Sequence, residues 1–365
     1  MNIILIILVF GVIIFFHELG HFIVAKINHI TVKEFSMGFG PKLFQFHKKE
    51  TQYTLRLIPL GGYCMMLSED DEENANDENS FEKKSIWARM AVVLAGPAMN
   101  FVIAFLFSMV IIHFCGSDPA IIGAVYNKDN IEKYQIENAE EYFNGVYPAE
   151  EAGISDGDRV LKIEGSTVKN FRELQIYLQI YGDGSPIDLT LEKEDGTVYD
   201  TTVHPAKTPN GYKIGIMSVG YQLPKNFGEL CKYSAYETRY WVKATFLSLK
   251  LIVTRQVSSD EVSGPVGVAK NMNDTFNEAA KSSVLDLFLN WMNYIVLLSA
   301  NLGVMNLLPI PGLDGGRFIF LLIEAVTRKK VPKDKENIVT LIGFVLVMLL
   351  MVVILFNDIK NVFFH

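Results

Sequence analysis

Residues 3–27 read IILIILVFGVIIFFHELGHFIVAKI. A helix needs about 20 mainly apolar residues to cross a bilayer, and this stretch supplies them, although its second half contains His17, Glu18 and His21. No basic residue precedes the apolar run and no small-residue cleavage site follows it. We therefore expect the stretch to remain in the protein as a membrane span and not to be removed as a signal peptide.

The composition indicates a membrane protein with a water-soluble part. Of the 365 residues, 50% are hydrophobic and 20% are charged. The net charge of −8 argues against a nucleic-acid partner, and the three scattered cysteines suggest neither a disulfide framework nor a cysteine zinc site. The predicted fold class is thus a polytopic α-helical membrane protein with four transmembrane helices. The predicted spans are residues 3–27, 86–114, 285–308 and 338–356.

Basic residues set the orientation of these spans, because short cytoplasmic loops carry an excess of Lys and Arg. None precedes the first span, and only Lys360 follows the fourth. We therefore predict a cell (inner) membrane protein with both termini extracytoplasmic and the first and third loops in the cytoplasm. The basic residues of these two loops are Lys26, Lys33, Lys42, Lys48, Lys49, Arg56, Lys83, Lys84, Arg317, Arg328, Lys329, Lys330, Lys333 and Lys335.

Residues 147–179, YPAEEAGISDGDRVLKIEGSTVKNFRELQIYLQ, indicate a small α/β module between the second and third spans. Alternating apolar residues predict strands, apolar residues at helical spacing predict one short helix, and Glu194-Asp195-Gly196 is typical of a hairpin turn. The predicted strands and helix cover residues 159–164, 171–178 (the helix), 187–191 and 198–203.

Three other segments lie outside the predicted spans and the α/β module. Phe227–Val257 is apolar-rich but too highly charged for a span, so it is either an amphipathic helix on the outer membrane surface or a packing helix of the soluble domain. The acidic run Glu69–Glu78 is predicted to be a solvated connector. The segment Asn127–Gly145 looks like an insertion, so the sequence does not locate a loop that would bind the C-terminal carboxylate of a peptide.

The residues at 17–21 have the pattern H-E-x-x-H. On a helix, side chains four residues apart share one face with their Cβ atoms about 5–6 Å apart. His17 and His21 can therefore hold one zinc ion while Glu18 reaches the reacting water. Ionisable side chains inside a span are costly and usually functional, so the pattern predicts a catalytic Zn²⁺ site.

A catalytic zinc ion needs a third protein ligand, and the candidates at membrane depth are His113, Asp314 and Glu324. The directions of the spans place His113 at the outer end of the second span, and Glu324 on an amphipathic cytoplasmic segment. Asp314 arrives at the cytoplasmic end of the third span, level with the two histidines, so it is the predicted ligand. The prolines and glycines around it break the helix, as backbone that lines a cavity at membrane depth can do.

HELGH at 17–21 and NLLPIPGLDGGR at 306–317 together resemble the site-2 protease family of intramembrane zinc metalloproteases. The bacterial members called regulator of sigma-E proteases, with an extracytoplasmic PDZ domain, are the most similar type. The resemblance implies that His17, His21 and Asp314 bind zinc and that Glu18 is the general base of a metalloendopeptidase.

The family also suggests how a substrate is held. A membrane-reentrant β-hairpin is expected within residues 28–85, and its end at Gly61, Gly62 and Tyr63 would pair with an unwound substrate strand. Asn306 would clamp the substrate backbone, although capping the helix end is an equally good interpretation.

Two further motifs are similar to family segments. Residues 96–100, GPAMN, are expected to pack closely against the zinc-bearing helix, which is a structural more than a catalytic role. Residues 263–267, SGPVG, resemble the segment that leads into the third span. A single PDZ domain is expected at 116–206, where it either binds a peptide C-terminus or only keeps bulky ectodomains away.

The predicted function is cleavage of transmembrane segments of single-pass proteins whose ectodomains are already trimmed, such as membrane-bound anti-sigma factors and signal-peptide remnants. The alternatives are a catalytically inactive membrane PDZ scaffold and a membrane zincin that acts on substrates in a soluble chamber. The predicted segments, in chain order, are the first span with HExxH (1–27), the β-hairpin and acidic connector (28–85), the second span (86–115), the PDZ domain (116–206), an amphipathic region (207–284), the third span with LDG (285–316), a cytoplasmic loop (317–337) and the fourth span (338–357).

Overall fold

The computed structural model describes residues 2–67, 77–128, 145–254 and 264–363. Most of the acidic run Glu69–Glu78, the interior of Asn127–Gly145, and Ser263 lie outside these residues. In chain order the elements are α1 (Asn2–Ile27), β1 (Val32–Lys48), β2 (Thr51–Met66), α2 (Ile86–Cys115), β3 (Ile122–Val125), α3 (Pro148–Glu151), β4 (Arg159–Ile163), β5 (Ser166–Thr167), α4 (Phe171–Ile180), β6 (Ile187–Glu192), β7 (Val198–Val203), β8 (Ala206–Thr208), β9 (Gly211–Lys213), β10 (Ile216–Ser218), α5 (Phe227–Val253), α6 (Pro265–Ser282), α7 (Val284–Leu307), α8 (Asp314–Thr327) and α9 (Lys333–Phe363).

Four helices in the described part of the chain are long and apolar enough to cross a membrane. They are α1, α2, α7 and most of α9, and their bounds agree with the four predicted spans to within a few residues. The chain is therefore a polytopic helical membrane protein. It divides into two compact units, a helical unit of Met1–Ser108 with Thr245–His365 and a second unit of Met109–Ala244.

The helical unit is held together by an apolar cluster of α1, α2, α6 and α7. Val9, Ile103, Phe276 and Ile295 are among its fully or nearly fully buried members. The amphipathic helix α6 contributes its apolar face to this cluster. Its N-terminus is fixed by Asp358 of α9, whose carboxylate accepts hydrogen bonds from three backbone N–H groups. The donors are Gly264, Val266 and Gly267, at 2.7, 2.9 and 3.1 Å.

Strands β1 and β2 form the antiparallel ribbon expected between the first two spans, but its pairing is more folded than that of a simple hairpin. Residues 34–37 lie beside 62–65 and also beside 52–55. The outer part of the ribbon exposes large apolar side chains, including Phe39, Leu43 and Phe44, which are 49–62% accessible. A surface of this kind is unusual on a segment bathed in water.

The second unit contains the predicted α/β module. A four-stranded antiparallel sheet has the order β5-β4-β6-β7, and the predicted hairpin joins β6 to β7. Helix α4 begins at Asn170, whose side chain accepts a hydrogen bond from the Glu173 backbone N–H at 2.8 Å. The strands and the helix predicted between residues 159 and 203 are confirmed, and the predicted domain at 116–206 lies inside this unit.

The part of α5 within the second unit has the character of a packing helix. Arg239 donates a hydrogen bond to Glu173 of α4 at 2.5 Å, and Glu237 pairs with Arg172. Because these charged side chains form ion pairs within the unit, Phe227–Ala244 fits a packing helix of the soluble domain, the second of the two interpretations offered for this segment.

Candidate active site

Three of the predicted site residues converge at one point of the helical unit. The Nε2 atoms of His17 and His21 are 3.3 Å apart. Asp314 Oδ2 lies 3.3 Å from the first and 3.5 Å from the second. Within the described residues, this is the one cluster of three or more histidine, cysteine or acidic side chains arranged to hold a metal ion.

The donor atoms fit a zinc ion. Ligands of tetrahedral zinc lie about 2.0–2.1 Å from the metal, so two of them are about 3.3 Å apart. The three observed separations match that edge length. Asp314 Oδ2 is buried and accepts no hydrogen bond from any described group. A buried carboxylate oxygen without a partner is costly, and a bound cation would satisfy it.

His21 is oriented by the neighbouring helix. Its Nδ1 lies 2.8 Å from the backbone oxygen of Val92 in α2. A carbonyl oxygen only accepts, so Nδ1 carries the hydrogen and Nε2 presents its lone pair to the cluster. This is the usual arrangement of a metal-binding histidine.

Two glycines allow α1 and α2 to approach this closely. A Cβ atom on Gly20 would lie 2.3 Å from the Ala95 backbone oxygen, and one on Gly96 would lie 2.3 Å from His21 Nε2. Neither position can carry a side chain without moving a helix or a histidine. The close packing predicted for the GPAMN segment is confirmed.

Asp314 is delivered by the broken backbone after α7. The helix ends at Leu307 and α8 begins at Asp314 itself. Gly312 has φ +98°, which favours glycine. A Cβ on Gly315 would lie 2.2 Å from the Leu308 oxygen, so the loop can fold back onto the first turn of α8 only because this residue is glycine.

The two rejected ligand candidates lie elsewhere. Glu324 accepts two hydrogen bonds from Arg89, at 2.6 and 3.1 Å, so its carboxylate is neutralised by a guanidinium. His113 is exposed on the last turns of α2 and is not a member of the cluster.

Glu18 lies beside the ribbon. The backbone N–H of Cys64 in β2 donates a hydrogen bond to the Glu18 carboxylate, and a Cβ on Gly62 would be 3.3 Å from Glu18 Cγ. The Tyr63 side chain is engaged within the sheet, because its hydroxyl accepts a hydrogen bond from Arg56 at 2.5 Å. Sequence reasoning missed the Cys64 contact, which depends on the register of the ribbon.

The second unit contains a groove of about 680 Å³ between α4 and the chain from Asn210 to Ile216. Apolar Phe171, Leu178 and Ile187 line it, together with Gln175 and Gln179. Strand β10 pairs with β3, and no second strand accompanies it in the described ranges. Neither the groove nor β10 was predicted, although the alternation in KIGIMSV, residues 213–219, was a signal for the strand.

Comparison with known proteins places this geometry in a family. The profile of peptidase family M50 matches residues 5–350. The chain belongs to peptidase family M50, the site-2 proteases. A Clostridium acetobutylicum protein is 38% identical over 98% of this chain and 97% of its own length. The zinc metalloprotease RasP of Geobacillus kaustophilus is 32% identical over 99% and 98%. The regulator of sigma-W protease RasP of Bacillus subtilis is 29% identical over 98% of each chain.

This M50 protein is thus an intramembrane metalloendopeptidase, its cofactor is Zn²⁺, and it is a multi-pass protein of the inner membrane. The family favours the enzyme over the inactive scaffold. Glu324 pairs with Arg89 and is not a member of the cluster of His17, His21 and Asp314.

Proposed function

We propose that this peptidase cleaves the transmembrane segments of single-pass membrane proteins after their ectodomains have been trimmed. Membrane-bound anti-sigma factors and signal-peptide remnants are the expected substrates. The observation that carries the proposal is the convergence of His17 and His21, on the candidate span α1, with Asp314 at the start of α8. The name of the Bacillus subtilis relative, a regulator of sigma-W protease, supports the anti-sigma class.

In this proposal His17, His21 and Asp314 hold zinc and Glu18 moves the proton. Zinc, when bound, acts as a Lewis acid that polarises the scissile carbonyl and makes water more acidic. Glu18 takes a proton from the attacking water on a carboxylate oxygen and gives it to the leaving amine nitrogen. The Cys64 backbone N–H holds the carboxylate in place beside the cluster.

A substrate helix must unwind before it is cut, and each backbone group that loses its hydrogen bond in lipid costs several kcal/mol. Residues 61–66 of β2 lie beside Glu18 and offer a strand to which the unwound segment can pair. Asn306 lies on the last turn of α7, and it is half-buried. Helix α7 is capped instead by the Leu308 backbone N–H. In this proposal the Asn306 amide forms hydrogen bonds with the substrate backbone.

The orientation inferred from basic residues places both termini outside and the active site towards the cytoplasm, where water has access. The ribbon then enters the membrane from the cytoplasmic side. Its exposed Phe39, Leu43 and Phe44 support this, because lipid is the solvent in which such side chains are stable.

The second unit is proposed to be an extracytoplasmic PDZ domain that binds the free C-terminus left by ectodomain trimming. Its groove lies between a helix and the open edge of β10, which is the geometry for adding a peptide strand. The backbone around Ile214 and Gly215 closes one side of the groove. These observations favour peptide binding over size exclusion alone.

Two substitutions in purified full-length protein test the chemistry. Glu18→Gln is expected to retain zinc and to lose cleavage of a membrane substrate, because the amide accepts no proton. Asp314→Asn is expected to lose zinc, because an anionic ligand becomes neutral. Membrane proteomes of cells with wild-type and Glu18→Gln enzyme would then identify clients, as fragments that accumulate with the variant alone. Full cleavage by the Glu18→Gln enzyme would refute the mechanism.

A further inference from the structure

Asn100, in the GPAMN segment of α2, lies beside the Nδ1 atom of His17. Asn100 is completely buried, and its amide nitrogen lies 3.2 Å from His17 Nδ1. Its Oδ1 atom has no hydrogen-bond partner among the residues that the structure describes. The Ser299 hydroxyl of α7 donates to the Asn100 backbone oxygen at 3.0 Å, which fixes the turn that carries the amide.

A neutral imidazole has one N–H group, so its two nitrogens always have opposite roles. When His17 Nε2 offers its lone pair to zinc, Nδ1 carries the hydrogen and needs an acceptor. When zinc is absent, Nε2 can carry the hydrogen towards Asp314 Oδ2, 3.3 Å away. In that state Nδ1 needs a donor.

A carboxamide can meet both needs. Its oxygen accepts and its nitrogen donates, and a half-turn about the last side-chain bond exchanges them. In the structure the amide nitrogen is the atom beside Nδ1, and a half-turn of the amide would bring Oδ1 to the same position. His21 is different, because the Val92 carbonyl can only accept and allows a single tautomer.

We infer that Asn100 is a positioning residue whose Oδ1 accepts the hydrogen bond from His17 Nδ1 when zinc is bound. The inference rests on the proposed role of His17 as a zinc ligand. Under this inference Nε2 of His21 always offers its lone pair to a metal. Nδ1 of His17, in contrast, has a hydrogen-bond partner both with and without zinc. The GPAMN segment then has a chemical role in addition to its close packing.

Zinc affinity of the full-length protein in detergent tests this, measured by competition with a fluorescent zinc chelator. Asn100→Leu keeps the shape but removes both hydrogen-bonding groups, and it is expected to weaken zinc binding by about 10–100-fold. Asn100→Asp presents only acceptors, so it is expected to bind zinc at least as tightly as wild type. Without zinc, the melting temperature of the Asn100→Asp protein should be lower than that of wild type, and adding zinc should restore it.

Ser108→Ala is the matched control, because Ser108 is another fully buried polar residue of α2 and its hydroxyl has no hydrogen-bond partner in the described structure. It should bind zinc like wild type. Zinc affinity of Asn100→Leu within twofold of wild type would overturn the inference, as would equal weakening in the leucine and aspartate variants. His17→Ala distinguishes a failure of the proposed zinc-ligand assignment from a failure of the role inferred for Asn100. If it binds zinc normally, the ligand assignment itself is wrong. If it loses zinc while Asn100→Leu does not, only the role of Asn100 is wrong.

Discussion

Replacing Gly96 by alanine is expected to expel zinc while leaving the helices folded. A Cβ atom at this position would lie 2.3 Å from His21 Nε2 and 2.8 Å from His17 Cε1. Since Cβ atoms essentially never approach other atoms within 3.0 Å, Nε2 would have to move by about 0.7 Å. Ligand distances in zinc sites vary by only about 0.2 Å, so this displacement breaks the tetrahedral geometry.

The stability cost should be small by comparison. Overpacking costs about 1–3 kcal/mol, and alanine recovers about 1 kcal/mol over glycine in a helix. The expected net loss is about 0–2 kcal/mol in the free energy of unfolding. The variant should therefore fold and insert, yet purify without metal.

The assay is zinc per mole of purified protein by elemental analysis, with thermal unfolding measured in parallel. Gly11→Ala on α1 is the control, because its Cβ would lie 3.4 Å from Met37 Cε, the movable end of a flexible side chain. It should keep a full complement of zinc. A Gly96→Ala protein with the same zinc content and activity as wild type would refute the proposed positions of the two histidines.

Two further outcomes are expected. Asp358→Ala should lower the free energy of unfolding by about 1–3 kcal/mol, because three N–H groups at the start of α6 lose their acceptor. Zinc affinity should not change. Chemical unfolding in detergent, compared with wild type, measures the loss, and equal stability of the two proteins would contradict the prediction. Leu178→Arg should abolish binding of a fluorescent peptide with an apolar C-terminal residue and a free carboxylate, because Leu178 lines the groove. The controls are Ile180→Arg, on the same helix but not among the residues that line the groove, and the same peptide with an amidated C-terminus. Equal binding by both variants would contradict the proposed site.

The sequence was sufficient wherever local pattern decides the outcome. Long apolar runs located the four spans, and the spacing of His17 and His21 placed both on one helical face. Asp314 could be selected because the direction of each span sets the depth of its residues. In the second unit, alternation and the turn at Asp195-Gly196 located the hairpin of β6 and β7.

The remaining features depend on which segments meet, which one sequence does not determine. The hydrogen bond between Cys64 and Glu18 needs the register of a ribbon whose residues 34–37 have two sets of neighbours. The pairing of Arg89 with Glu324 joins residues far apart in the chain. Asn100 was interpreted as a packing residue because nothing in GPAMN reveals that its amide faces a histidine. The three-residue strand β10 is too short for its alternation to stand out.

The order of the proposed ligands along the chain has a consequence for synthesis. His21 and Asp314 are separated by about 290 residues, so a growing chain carries two of the three ligands long before the third is made. On the proposed assignment, the metal site is complete only after α8 has been made and lies beside α1, so the nascent protein would be inactive until then. If the proposed ligands are right, a chain that ends before Asp314 also lacks the third ligand and would not cleave membrane proteins.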